Sequence, residues 1–495
     1  MIEQTIEQLI IKVIEAGLID ARDRIYCRNQ ILGLLERDTF SSTDIADSDR
    51  SIPQLLQLLI DDAVARHVIG PALDERERLD AELMNVFLSK PSEINQIFHR
   101  HYAEHPKHAT NFFYHLSQVS NYIQTERIAK NIHYKASTDY GKVDITINLS
   151  KPEKDPEQIK RERQVKQDVQ YPQCLLCIEN EGYVGRTGHP ARSNHRVIDL
   201  NLAGEDWHFQ FSPYVYYNEH SIVFSKEHRP MVISKNTFKR LLAFVEQFPH
   251  YFIGSNADLP IVGGSILSHD HYQAGQYTFG MTEADDAFTF TLNRYPDITA
   301  SVLHWPMSVI RLRHSSQERL TDAADQILTA WRQYSDHEAD LLAFTEETPH
   351  NTITPIARFR GQQYELDLVL RNNRTTDTHP DGLFHPHQDV HHIKKENIGL
   401  IEVMGLAVLP PRLKNELDQI KKYLTNQSSE IEAYHQEWAE QMKQNTPNLT
   451  VDNVEHVVEQ ALAKKFIKVL QDAGVFKLNT EGKAAFKRFL STLNS

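Results

Sequence analysis

Three polar side chains at a spacing of two stand out in the run SHDHYQAG, and they are His269, His271 and Gln273. In an extended strand, this spacing places all three side chains on one face and leaves Asp270 and Tyr272 on the other. Imidazole and amide groups that share a face can act on one ligand. The pattern therefore predicts a functional strand.

Phosphoryl transfer is one chemistry that fits this group. A neutral imidazole can attack phosphorus and form an N–P bond that is labile enough to pass the group on. The attack requires one ring nitrogen to be held as a donor, so that the other presents its lone pair. Gln273 could donate its amide to a phosphoryl oxygen, and the Gly263–Ser265 backbone could hold further oxygens. Two alternatives remain open. One is a metal site that uses both histidines, and the other is a pair of polar residues on a half-exposed strand without a chemical role.

A second candidate site is the pair Cys174 and Cys177 in YPQCLLCIEN, whose spacing lets two thiolates bind one metal from a tight turn. Two buried small hydrophobic residues or a redox dithiol are the alternatives, although no thioredoxin-like pattern surrounds the pair. A tetrahedral site needs two more ligands. Spacing alone does not choose among the histidines that follow, which are His189, His195, His220, His228 and His269.

Both ends of the chain have helical periodicity. In residues 1–130, apolar residues recur at three-and-four spacing, and a second such run extends from Pro53 to Val68. The pattern returns after Pro411. The residues that carry it are Ile6, Leu9, Ile10, Val13 and Ile14 at the start, and Leu413, Leu417, Ile420 and Leu424 near the end.

The middle of the chain alternates apolar and polar residues with the period of a strand, beginning with DITINLS at Asp144. The highly charged stretch 151–170 reads as a solvated loop or exposed helix. Because strands and helices interleave irregularly, the sequence predicts an α+β fold. Further predicted strands are Val215–Tyr217, Ser221–Phe224, Tyr251–Ile253, Ser308–Leu312 and Tyr364–Leu370.

Composition narrows the class of protein. The chain has 495 residues and a formal net charge of -14, which argues against nucleic acid as the main partner. The first residues, MIEQTIEQLIIKVIEAGLID, lack the basic start and apolar block of a signal peptide, and no stretch is long enough to span a bilayer. Three cysteines are too few for a disulfide scaffold. We therefore expect a soluble, cytoplasmic protein without a membrane partner.

Four motifs in order carry a resemblance to a known family: CLLC, IVFSKEH, HDHYQ and KKENIGLIEVMGLAVLPPRL. The chain resembles the type 2 galactose-1-phosphate uridylyltransferases of bacteria at motif level from about Ile132 to Leu413. The long helical ends are also similar to the type 2 group. The resemblance implies an α+β fold of antiparallel, histidine-triad-like half-barrel units with helical N- and C-terminal extensions.

The resemblance assigns roles to individual residues. The type 1 enzymes of the family have H-P-H-x-Q where this chain has H-D-H-Y-Q, and their second histidine is the nucleophile. The resemblance thus makes His271 the residue that is uridylylated and Gln273 its partner on the phosphoryl group. It also implies a zinc site of Cys174, Cys177, His228 and His269.

The substrate-binding assignments are implied less directly. The arginines that type 1 enzymes place near the phosphates are not matched, and Lys151 and Lys154 are our candidates by position. Asp270 replaces proline, which removes a backbone restraint and adds a negative charge near an anionic substrate. The other expected substrate-binding residues are Asn256 and Asp258 for the uridine, Gly263, Gly264, Ser265 and Ser268 for the phosphates, and Glu402 for the sugar hydroxyls.

A further cluster of histidines, His385, His387, His391 and His392, precedes the last motif. It resembles the iron site of some type 1 enzymes, so a second metal at His385 and His387 is one interpretation. A polar, solvent-facing loop is the other.

The implied reaction is a ping-pong transfer of UMP from UDP-glucose to galactose 1-phosphate through a uridylyl-histidine. The implied partners are these two substrates, with a homodimer left open. The implied organisation is a helical region at 1–130, a catalytic transferase unit at 131–290, a second transferase-like unit at 291–410 and a helical extension at 411–495. The alternatives are a dinucleoside-polyphosphate phosphorylase or hydrolase with the same chemistry, and a zinc-stabilised binding protein without catalysis.

Overall fold

A computed structural model describes residues 2–41, 48–150 and 171–494 of the chain. The chain divides into two compact units. The first unit comprises Met1–Lys130, Ser150–Val215 and Glu219–His228, and the second comprises Asn131–Leu149, Tyr216–Asn218 and Arg229–Ser495. Lys151 and Lys154, together with the rest of the charged stretch 151–170, lie outside the described residues.

Helices occupy both ends of the described chain, and a few lie between the strands in its middle. Those of the first unit are α1 (Ile2–Glu15), α2 (Arg24–Leu34), α3 (Ile52–Ala65), α4 (Leu73–Asn85), α5 (Pro91–Glu104), α6 (Pro106–Val119) and α7 (Thr125–Ile128). Those of the second unit are α8 (Lys235–Gln247), α9 (Gln317–Gln333), α10 (Leu400–Val403), α11 (Arg412–Leu424), α12 (Gln436–Asn445), α13 (Val454–Ala473) and α14 (Thr480–Thr492).

Strands fill the middle of the chain. In chain order they are β1 (Ile132–Thr138), β2 (Gly141–Ile147), β3 (Ile198–Leu202), β4 (Glu205–Phe211), β5 (Ser221–Ser225), β6 (Phe252–Gly254), β7 (His271–Gly275), β8 (Asp286–Phe290), β9 (Thr299–Leu303), β10 (Val309–His314), β11 (Phe344–Thr345), β12 (Thr348–Pro349), β13 (Asn351–Arg360), β14 (Gln363–Asn372) and β15 (Leu406–Leu409).

The helices of the first unit form where the sequence predicts them. The apolar face of α1 is fully buried at Ile6, Leu9 and Val13. Helix α3 begins with a capping box, in which the Ser51 hydroxyl accepts from the Gln54 amide and the Gln54 side chain accepts from the Ser51 amide. Both helical predictions for this region are therefore confirmed.

Strands β3, β4 and β5 of the first unit pair antiparallel. Helix α5 is fastened to β3 by Asn95, whose amide donates to Val197 O at 2.9 Å and whose carbonyl accepts from Asp199 N–H at 2.8 Å. Buried rings join α6 to β4, since the centroid of Phe113 lies 5.7 Å from that of Phe209 and 5.3 Å from that of Phe211. Helices α5 and α6 thus pack on these strands, whereas the buried apolar residues of α1–α4 form a cluster of their own.

The second unit contains two larger sheets. In one, β2 pairs antiparallel with β1 and parallel with β15. In the other, seven strands follow the order β7-β6-β13-β14-β10-β9-β8, with antiparallel pairing throughout. Helices α8 and α9 pack against β13. The sheets are open in the part of the chain that the structure describes, and the α+β class with helical ends is confirmed.

Most predicted strands are confirmed, namely the one at Asp144 and those that became β5, β6, β10 and β14. The predicted strand Val215–Tyr217 is wrong. Val215 has a φ of +37°, which an extended strand does not allow, and Tyr216 and Tyr217 form a bend instead. Within the described ranges, none of the helices is both long and apolar enough to cross a membrane.

Candidate active site

Strand β7 positions the two proposed catalytic side chains. It begins at His271 and pairs antiparallel with β6, so that Gln273 lies opposite Gly254. Since side chains alternate along a strand, His271 and Gln273 project from the same face. His269, two residues before His271, precedes the strand and is buried.

The ring of His271 is held in one tautomer. Its Nδ1 lies 2.8 Å from the backbone oxygen of His269, and because a carbonyl can only accept, Nδ1 must carry the proton. Burial lowers the pKa of His271 to about 4, so the ring is neutral at neutral pH. The lone pair is therefore on Nε2. A neutral imidazole with a free lone pair is the form that a nucleophile requires.

The face that carries Gln273 is covered by the start of α10. A Cβ added at Gly254 would lie 2.8 Å from a methyl of Leu400, so only glycine lets this segment approach the sheet so closely. The side-chain oxygen of Gln273 is buried and has no hydrogen-bond partner among the described residues. A buried amide oxygen in this state requires a ligand donor such as a hydroxyl or N–H, whereas the amide N–H of the same side chain is the group that can donate to a phosphoryl oxygen.

Asn256 links two segments that the sequence assigned to substrate binding. Its side-chain oxygen accepts from Leu400 N–H at 2.9 Å, at the first turn of α10. On its other side, a Cβ at Gly264 would lie 2.7 Å from the Asn256 amide nitrogen. Asn256 therefore joins the loop Gly263–Ser268, here called the glycine loop, to α10, a role that sequence reasoning had not assigned to it.

The glycine loop turns tightly back on itself. A Cβ at Gly263 would lie 2.6 Å from the backbone oxygens of both Ala257 and Leu259, which only glycine avoids. Ser265 and Ser268, further along the loop, are exposed. Their hydroxyls can thus reach a ligand in solution.

Asp258 is already engaged within the second unit. One carboxylate oxygen accepts from Ile233 N–H at 2.9 Å, and the other accepts from the Thr352 hydroxyl. Arg332 lies 3.6 Å away. These contacts give Asp258 a structural role in addition to its predicted contact with uridine.

Glu402 lies on α10 and is buried. One of its oxygens accepts from Lys394 Nζ at 3.0 Å, and the other accepts from Gly399 N–H at 3.2 Å. The preceding residue of this loop, Ile398, is held by Arg371, whose Nη2 donates to Ile398 O at 2.9 Å. The predicted sugar-binding carboxylate is therefore held rigidly, with its charge balanced by Lys394.

The charge of Asp270 is compensated. Its carboxylate accepts from Arg240 Nη1 at 2.9 Å, and Arg229 Nε lies 3.4 Å away. The predicted negative charge at this position is therefore balanced by two arginines, which the sequence did not indicate.

The cysteine pair forms a cluster with His228 in the first unit. The two sulfur atoms lie 3.4 Å apart, and Cys177 Sγ is 3.1 Å from His228 Nδ1. Ligand atoms of the three residues all lie within 4.8 Å of one another. Burial, together with the neighbouring Cys174, raises the pKa of Cys177 to about 12, so its thiolate needs a nearby cation. Two sulfurs and one imidazole form a donor set that suits zinc.

Two other histidines near the cysteines have different partners. His189 Nε2 lies 2.7 Å from Asn180 Oδ1, and the amide of Asn180 donates to the backbone oxygens of Cys174 and Cys177, each at 2.8 Å. His195 bonds to Gln210 at 2.8 Å. His189 therefore supports the cysteine turn through Asn180.

The later histidine cluster does not form a metal-binding group. Where the structure describes the chain, the one set of three or more potential ligands with converging atoms is that of the cysteine site. His387 and His391 each direct Nε2 to a backbone oxygen, Leu383 at 3.1 Å and Pro386 at 2.8 Å. His385 bonds to Asn397 at 3.3 Å, and His392 packs against Trp438. The geometry favours separate structural roles.

Three residues of this site were missed by sequence reasoning. Lys394 could have been noticed, because it opens the KKENIGLIEVMGLAVLPPRL motif that contains Glu402. Arg240 and Arg371 lie in α8 and β14, and no spacing in the sequence links them to the residues they contact. Only the tertiary fold brings them together.

Comparison with known proteins places the chain in a family. Residues 17–230 match the galactose-1-phosphate uridyl transferase N-terminal domain, and residues 244–440 match the corresponding C-terminal domain. The galactose-1-phosphate uridylyltransferase of Enterococcus faecalis is 51% identical, over 98% of this chain and 97% of that protein. Galactose-1-phosphate uridylyltransferase 1 of Streptococcus pneumoniae is 49% identical, over 99% of each chain. The Streptococcus mutans enzyme is 50% identical, again over 99% of both.

Among solved structures, yeast Ap4A phosphorylase is similar over 66% of this chain and 92% of its own, with 12% identity and a TM-score of 0.33. That likeness is too low to bear on function. The matches over both domains and nearly the full length show that the chain belongs to the galactose-1-phosphate uridylyltransferase family, a family of nucleotidyltransferases.

Proposed function

We propose that the protein transfers UMP from UDP-glucose to galactose 1-phosphate through a covalent intermediate on His271. His271 Nε2 attacks the α-phosphorus, an N–P bond forms, and the P–O bond to glucose 1-phosphate breaks. A phosphate oxygen of galactose 1-phosphate then attacks the same phosphorus, which breaks the N–P bond and forms UDP-galactose. No proton has to be added to the leaving phosphate at neutral pH.

The observation that carries this proposal is the hydrogen bond from His271 Nδ1 to the backbone oxygen of His269 at 2.8 Å. It leaves Nε2 unprotonated on a ring that burial keeps neutral. The names of the relatives supply the substrate class, and the ring geometry supports the role of the nucleophile.

The remaining site residues have supporting roles in this proposal. Gln273 donates to the phosphoryl group, and the loop at Gly263–Ser268 holds the phosphates. Glu402 accepts from sugar hydroxyls with the oxygen lone pairs that Lys394 and Gly399 leave available. Lys151 and Lys154 remain predicted phosphate contacts, and Asn256 and Asp258 remain predicted for the uridine side.

Intact-mass measurement of the protein after incubation with UDP-glucose alone tests this function. We expect a mass increase of one uridylyl group and release of glucose 1-phosphate. Addition of galactose 1-phosphate should remove the adduct and yield UDP-galactose. If the adduct were discharged by inorganic phosphate or water but not by galactose 1-phosphate, the dinucleoside-polyphosphate alternative would replace this proposal. Absence of any adduct would favour a binding protein without catalysis.

We also propose that Cys174, Cys177 and His228 hold zinc, with His269 as the predicted fourth ligand. The convergence of the first three donor atoms supports a metal at this position. A bound zinc would supply structural cross-linking, because its ligands come from distant parts of the sequence.

Cys174→Ser is expected to lower the zinc content from about one ion per chain and to lower the melting temperature. Metal analysis and thermal unfolding measure the two effects. Cys27→Ser is the control, because Cys27 is also a free cysteine and lies outside the cluster. Metal-free protein with full stability and activity would show that the cluster is vestigial.

A further inference from the structure

The start of β7 is held by an ion pair between two buried side chains. Arg240 and Asp270 each have side chains that are only 6% exposed, and Arg240 Nη1 lies 2.9 Å from Asp270 Oδ2. Arg240 is fixed in turn within α8, because its Nε donates to Asn236 O at 3.0 Å. The pair therefore connects a rigid helix to the residue between the two histidines.

The backbone of Asp270 is held as well. Its N–H donates to Arg229 O at 2.7 Å, and nearby Met231 N–H donates to Leu267 O at 2.9 Å. These two bonds join the segment before β7 to the segment before α8. Asp270 is thus restrained through both its side chain and its amide.

One peptide unit connects this restraint to the nucleophile. The N–H of Asp270 and the C=O of His269 belong to the same planar peptide group, so fixing the direction of one fixes the other. The N–H is bound to Arg229 O, and the C=O accepts from His271 Nδ1. Whatever holds this plane also holds the tautomer of His271.

We infer that Arg240 and Asp270 are a positioning pair that holds the His269–Asp270 peptide plane and thereby keeps His271 Nε2 available for attack. The expected effect of the pair on catalysis rests on the proposed function. Its expected effect on the tautomer of His271 does not. It also gives a reason for aspartate at this position. An ion pair to a helix supplies the rigidity that proline would otherwise provide.

Three variants test the pair: Asp270→Ala, Arg240→Met and the double variant. Loosening a nucleophile without changing its chemistry should lower kcat by about tenfold to a hundredfold and change KM for UDP-glucose less than about threefold. The double variant leaves no unpaired buried charge, so it separates positioning from misfolding. Because the two residues act as one unit, we expect its kcat to be no lower than that of the worse single variant.

Lys235→Met is the matched control, since it also removes a cation of α8 that pairs with a carboxylate, Asp322. It should leave kcat unchanged. The inference would be overturned if the fold-losses in kcat of the two single variants multiplied in the double variant, as they do for independent residues. It would also be overturned if Lys235→Met lost as much activity as Asp270→Ala.

Nitrogen-15 NMR of the His271 ring provides a readout that a purely structural role would not change. We expect the Nδ1–H form alone in the unaltered protein and in Lys235→Met, and a mixture of tautomers in Asp270→Ala and the double variant. A ring that stays entirely in the Nδ1–H form in folded Asp270→Ala would overturn the inference. Because this measurement needs no substrate, it still tests the pair if no uridylyl adduct forms and the proposed function fails.

Discussion

His271→Ala is expected to form no uridylyl adduct and to lose turnover by roughly 10⁴-fold or more, the scale on which enzymes lose activity with their nucleophile. The loss should be this large because a ping-pong transfer has no path that avoids the covalent intermediate. Intact mass after incubation with UDP-glucose and steady-state exchange kinetics measure the two effects. The side chain makes one hydrogen bond to the backbone, so the variant should remain folded.

His108→Ala is a suitable control, since His108 is an exposed histidine on α6. It should form the adduct at the normal rate. His271→Gly should regain part of its activity when imidazole is added, because the free ring can occupy the space and attack in its place. Substantial ping-pong exchange in His271→Ala without imidazole would exclude this residue as the nucleophile.

The sequence predicted those parts of the site that depend on local spacing. The period of two at His269, His271 and Gln273 predicted a strand, and β7 contains His271 and Gln273 but begins only at His271, so His269 lies outside it. The cysteine pair was predicted from its spacing, and its two sulfurs lie 3.4 Å apart. Local patterns of this kind survive folding because strand geometry and tight turns act over only a few residues.

The parts that the sequence did not predict depend on contacts between distant segments. Asp270 was expected to add a negative charge near the substrate, and nothing in the sequence indicated that Arg240, thirty positions earlier, pairs with it. Asn256 was assigned to the uridine, but its side-chain oxygen binds Leu400 N–H, 144 positions later. No spacing rule links such residues, because only the tertiary fold brings the helices and loops that carry them together.

Composition misled in one place and was ambiguous in another. The predicted strand Val215–Tyr217 is rich in residues that favour strands, but the backbone turns there with a φ of +37° at Val215. The histidine-rich run from His385 onward suggested a second metal. In the structure, His387 and His391 bond to backbone oxygens instead, which shows that residue type without converging geometry is weak evidence for a metal site.

The second large effect is expected at Gln273, where glutamate should be a worse replacement than alanine. Gln273→Ala removes one donor that faces the phosphoryl group, which costs on the order of 3 kcal/mol in the barrier in a dry site. Gln273→Glu removes the same donor and adds a negative charge beside an anionic phosphate, so repulsion lowers the rate further. Single-turnover rates of adduct formation measure both variants.

The zinc content of the two variants shows whether a lower rate results from misfolding. Neither variant should change the zinc content, because Gln273 is not among the proposed ligands. A Gln273→Glu rate equal to or above that of Gln273→Ala would mean that this side chain does not face the phosphate. Residues i and i+2 of a strand share a face and should contact the same ligand, and the proposed transfer depends on this for His271 and Gln273 of β7. That result would therefore exclude a shared face for these two side chains at the phosphate.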